Sequence, residues 1–76
     1  MAVLRVMSLQ GDESFEYDAD VQDERLAEAR RLFEAKLAHG YLAFVPDSRR
    51  KRSGTHIRRF DPSAPEIILQ PPMVGG

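Results

Sequence analysis

The sequence predicts an α+β fold, a mixed sheet of four to five strands with one helix packed across it. Three observations predict it. Residues 21–39 carry apolar side chains at helical spacing, with Leu26, Ala29, Leu32, Phe33 and Leu37 forming one stripe. Short apolar runs bounded by turn residues stand on both sides of that helix and read as strands. The two most apolar runs are the first and the last, which places them together at the centre of the sheet. A single amphipathic helix then has to cover one face.

Taken in order, Ala2 to Leu9 reads as a strand, with Val3, Met7 and Leu9 on one side and Leu4 and Val6 on the other. Apolar residues on both sides fit a central strand. Gln10-Gly11-Asp12-Glu13 is a turn signal. Ser14 to Tyr17 returns as an outer strand whose Phe15 and Tyr17 share the core side. Asp20 reads as the N-cap of the helix, with Asp23 in the place of a capping-box acid. Asp18, Asp20, Asp23 and Glu24 crowd the positive end of the helix dipole and resemble a metal site only by count. His39-Gly40 ends the helix, with glycine at C′. Tyr41 to Pro46 is the next strand. Residues 47–54 form a polar, basic loop, and Thr55 to Phe60 a shorter strand. Asp61 to Pro65 is a turn, and Glu66 to Gln70 the final, buried strand.

Pro71-Pro72 stops that strand, because proline lacks the N–H a sheet needs and fixes φ. The expected division is a domain over 1–70 and a flexible tail over 71–76 that ends Met73-Val74-Gly75-Gly76. Six extended residues reach at most ~20 Å. Glycine passes through a narrow channel because it has no Cβ. The tail therefore has the form of a carboxylate held away from the body, with Pro71, Pro72, Met73 and Val74 as the part to be gripped. A chance Gly-Gly or a frayed end is the competing reading.

Size and charge narrow the functions. With 76 residues the chain holds one domain and little room for an internal catalytic cavity. The net charge of −1 argues against a dedicated nucleic-acid or membrane-surface protein. Absence of cysteine removes disulfides, thiolate metal sites and a thiol nucleophile, and fits a cytoplasmic setting. No nucleophile–base pair, metal-ligand spacing or phosphate loop stands out, so an intrinsic enzyme is the least expected class, with no metal and no intrinsic cofactor. Neither a membrane span nor a signal-peptide core is present in the pattern. Arg49, Arg50, Lys51 and Arg52 form a basic run, with Arg58 and Arg59 close behind. These are candidates for docking an acidic patch on a partner. A solvated hairpin tip with a charged edge strand is the competing reading, and phosphate binding a third.

The element order, strand–strand–helix–strand–strand–strand with parallel outer members at the centre, is that of a β-grasp fold. Together with the length and the Gly75-Gly76 ending, it makes the chain resemble the ubiquitin-like proteins. The ending Pro71-Pro72-Met73-Val74-Gly75-Gly76 is also similar to that of the small subunit of molybdopterin synthase, a sulfur carrier. Asp61-Pro62-Ser63-Ala64-Pro65-Glu66 stands where sulfur carriers have an acidic turn. The resemblance implies a bacterial-type modifier. Its Gly76 carboxylate would be adenylated by a partner activating enzyme that binds ATP and Mg²⁺. The acyl group would then pass to target amines, with a conjugating enzyme and a deconjugating protease as further partners. It equally implies a sulfur carrier whose terminus becomes a thiocarboxylate. A small protein- or nucleic-acid-binding module using residues 49–59 is the third reading.

Overall fold

A computed structural model describes residues 2–8, 10–18, 20–21, 24–46 and 54–72. Its elements are β1 (Ala2–Val6), β2 (Glu13–Tyr17), α1 (Glu24–Ala38), β3 (Leu42–Val45), β4 (Thr55–Ile57) and β5 (Glu66–Gln70). They form one five-stranded sheet in the order β2-β1-β5-β3-β4. β1 and β5 run parallel at its centre, with Leu4 opposite Ile67 and Val6 opposite Leu69. The other pairings are antiparallel. This is an α+β, β-grasp-like architecture: the crossover between the parallel pair carries the helix.

Alternation sets which side chains meet α1. Leu4, Val6, Tyr17, Ala43, Ile67 and Leu69 are buried on the helix side of the sheet, and Ala29 and Phe33 are the buried residues of α1. Leu26, Leu32 and Leu37 pack around them, as the helical stripe requires. The fully buried large ones, such as Leu4, Phe33, Ile67 and Leu69, each contribute roughly 1.5–3 kcal/mol on leaving water. In so small a domain that core is most of what opposes chain entropy.

Four local differences from expectation have physical causes. Strand β1 ends at Val6 rather than at residue 9, and Leu9 lies outside the described residues. The helix begins at Glu24, not at residue 21. Ahead of it Asp18 organises a turn, accepting the Asp20 N–H on Oδ1 at 2.9 Å and the Val21 N–H on its carbonyl at 3.2 Å; residue 22, like 23 a position whose N–H an Asp20 cap would bond, lies outside the described residues. Local aspartate bonding of this kind competes with helix. Asp23 lies outside the described residues. Strand β3 starts at Leu42, because Tyr41 is still engaged in the helix cap. Strand β4 stops at Ile57, so Arg58 and Arg59 sit in a bend rather than on an edge strand. Phe60 turns inward there, its ring 5.6 Å from Phe33 and 5.8 Å from Tyr17. Burying that aromatic outweighs continuing a two-stranded edge.

The end of α1 is a Schellman cap. Gly40 has φ +92°, a left-handed value that glycine adopts without a Cβ penalty. Gly40 N–H donates to Leu37 O and Tyr41 N–H to Lys36 O, each at 3.0 Å. The turn before β5 is closed by Asp61, whose Oδ1 accepts from Ser63 N–H at 3.0 Å and Ser63 Oγ–H at 2.6 Å.

Candidate functional site

Strand β5 delivers the tail. It is flanked by β1 and β3, and its last residue, Gln70, stands opposite Leu42 of β3. On the other side Met7 donates its N–H to Leu69 O at 2.9 Å, which continues the parallel ladder to the strand's end. The chain therefore leaves from the middle of the sheet. Pro71 is half-buried and Pro72 exposed. The Pro72 ring lies 3.5 Å from where a Cβ on Gly40 would stand. Pro72 thus rests against the capped end of α1. Met73, Val74, Gly75 and Gly76 lie outside the described residues.

The face of the sheet away from α1 is apolar around this exit. Ile68 is its central member, half-buried, with Arg5 opposite on β1 and Phe44 opposite on β3. Phe44 meets the His56 ring at 5.3 Å. Met7 and Leu42, 37% and 43% exposed, flank Gln70 where the tail begins. Arg5 pairs with Glu66 on the same face. At the helix end, His39 Nδ1 lies 2.7 Å from Ala35 O, and Lys36 Nζ sits 5.0 Å from the Tyr41 ring centroid. His39 serves the helix end, as its place beside Gly40 indicated.

The basic candidates divide. Arg49, Arg50, Lys51 and Arg52 lie outside the described residues. Arg58 and Arg59 are exposed and do not line the tail exit. They border a separate groove of about 350 Å³ together with Arg30, Phe33, Glu34, Leu37 and Phe60. Sequence reading missed Arg30 here, because nothing local shows that its turn of helix will face residues 58–60. It also missed Arg25, which covers the Phe15 ring at 4.5 Å and donates Nε–H to Glu16 O at 2.7 Å.

One buried group has no counterpart in the sequence reading. The Tyr17 hydroxyl is inaccessible and has no hydrogen-bond partner among the described residues. Burial, and secondarily the Asp61 carboxylate, push its pKa above the ordinary tyrosine value. Among the described residues no group of His, Asp and Glu is arranged to hold a metal ion. Nor is any described helix long and apolar enough to cross a membrane.

No protein-family model matches the chain, and neither the curated proteins nor the solved structures searched contain a match to it.

Proposed function

We propose that the chain is a ubiquitin-like protein modifier whose Gly76 carboxylate is its reacting group. A partner activating enzyme attacks ATP with that carboxylate, giving the acyl adenylate and releasing pyrophosphate. An enzyme thiol then displaces AMP, and a target amine displaces the thiol to leave an amide. This chain supplies the acyl group and the surface that is recognised; the catalysts belong to the partners. The observation that carries the reading is the central, parallel β5 running straight into Pro71-Pro72 over the end of α1, with Met7 and Leu42 exposed beside it. That geometry supports presentation of a narrow tail together with an apolar contact surface. The reaction starts from Gly76 whether translation ends there or a longer precursor is trimmed to it.

The ending Pro71-Pro72-Met73-Val74-Gly75-Gly76 favours a second reading, a sulfur carrier in which sulfide sulfur replaces a carboxylate oxygen after the same activation. One experiment separates them. An epitope-tagged chain is expressed in its own cells, and high-mass adducts and free protein are both analysed. Modification predicts adducts that need Gly76, with a target lysine carrying the tryptic remnant from Phe60 to Gly76, since no Lys or Arg follows Arg59. Sulfur carriage predicts free protein heavier by the ~16 Da of oxygen-to-sulfur exchange. Neither product in cells that express the chain would overturn both.

A further inference from the structure

The groove between α1 and residues 58–60 has a composition that the tail does not explain. Arg30, Phe33, Glu34 and Leu37 follow the i, i+3, i+4, i+7 spacing and so share one face of α1. Arg58, Arg59 and Phe60 form the opposite wall. Its floor is aromatic and aliphatic, with Phe33 1% exposed. Its rim carries three guanidinium groups against the single carboxylate of Glu34. Among the described residues none of the three arginines reaches ion-pair distance of a carboxylate. Asp61, next to Phe60 in the chain, already has one oxygen occupied by Ser63 N–H and Oγ–H. In a chain of net charge −1, this is a local excess of positive charge around an apolar floor.

We propose that this groove binds an acidic, extended segment of a partner protein, with one large apolar side chain seated against Leu37 and carboxylates on Arg30, Arg58 and Arg59. Charge complementarity selects the occupant: guanidinium groups pair with carboxylates bidentately. Extended peptide suits a groove because side chains on one of its faces recur about every 7 Å. Nucleic acid fits less well. Its bases need free aromatic faces to stack on. The Phe60 ring is already surrounded, by Phe33 at 5.6 Å, Tyr17 at 5.8 Å and the Arg30 guanidinium 5.8 Å from its centroid. The proposal is independent of the chemistry at Gly76.

The test titrates isotopically labelled full chain with a short capped peptide of glutamates around one central leucine, followed by amide shifts. Expected shifts cluster in residues 30–37 and 58–60. Raising salt from about 50 mM to about 300 mM weakens binding severalfold, because the paired charges are near the surface. Arg58→Glu lowers affinity at least about tenfold. Arg59→Gln lowers it less, and serves if the first variant melts early. Replacing the leucine by serine, or the glutamates by glutamines, also weakens binding. Deleting Gly76 leaves it unchanged, which separates this site from the tail. Three results would overturn the proposal: no shifts at about 1 mM peptide, shifts centred on Ile68 and Phe44, or tighter binding of a single-stranded oligonucleotide at the same amides.

Discussion

The two faces of the sheet differ: the one toward α1 is apolar and closed, while the other mixes Ile68, Phe44, Met7 and Leu42 with Arg5, Glu66 and His56 and stays open. Toward α1, Leu4, Ile67 and Leu69 are wholly buried; on the opposite face Ile68 is half-buried and Leu42 is 43% exposed. Adjacent residues of one strand, Ile67 and Ile68, therefore have the same chemistry and different duties. The first holds the domain together. The second, with Phe44, Met7 and Leu42, is surface kept apolar at some cost to solubility, next to where the tail departs. A strand buried on one side and greasy on the other reads in the sequence as a continuous run, Ile67-Ile68-Leu69, and the run alone does not tell the two duties apart.

Substitution should separate them. Ile67→Ala is expected to cost about 2–5 kcal/mol, as cavity-forming changes in packed cores do. That is enough to unfold much of a domain this small. Ile68→Ala should cost about 1 kcal/mol. Denaturant melts of the two variants check this, and equal losses would break the distinction between the faces.

The seam between the faces is the helix end under the tail. Gly40→Ala forces a Cβ onto a left-handed backbone and should cost about 1 kcal/mol. The new Cβ would stand at ordinary contact distance, 3.5 Å, from Pro72, so the loss belongs to the backbone and not to a displaced tail. Gly40→Asn should cost less, since asparagine tolerates that region better. Thermal melts of the pair sharpen the point; equal losses would mean that Pro72, not φ, sets the cost.

Smallest is the effect of the orphan hydroxyl on the closed face. Tyr17→Phe removes a buried polar group without a partner among the described residues, so stability at neutral pH should change by no more than about 0.5 kcal/mol, or rise. At alkaline pH the two proteins should part. The folded tyrosine titrates above its unfolded value of about 10. Its contribution is intact below that value and is lost as pH climbs through the folded pKa. The phenylalanine variant lacks this loss and should outlast the parent in melts above about pH 10.

Much of this architecture was legible in the residues. The period of α1, the Gly40 stop and the apolar runs at each end of the chain fix a helix-crossed mixed sheet, because burial and punctuation act locally. Three things were not legible. The described helix starts at Glu24 and not at residue 21, because Asp18 holds residues 20 and 21 in a turn. Strand β4 was drawn too long, because the pull on Phe60 comes from Phe33 and Tyr17, which are distant in sequence. The arginine groove was invisible for the same reason: Arg30 and Arg58 become neighbours only when α1 packs on the sheet. Of the candidate tail, Pro71 and Pro72 have a described place, Pro72 against Gly40.

The most direct measurement on the central claim adds one alanine after Gly76 and compares adduct formation and melting temperature with the parent chain. The extended chain should melt at the parent's temperature and form no adducts, because its terminal acyl carbon no longer belongs to the glycine proposed to react. Undiminished adducts from the extended chain, with the alanine still attached, would contradict it.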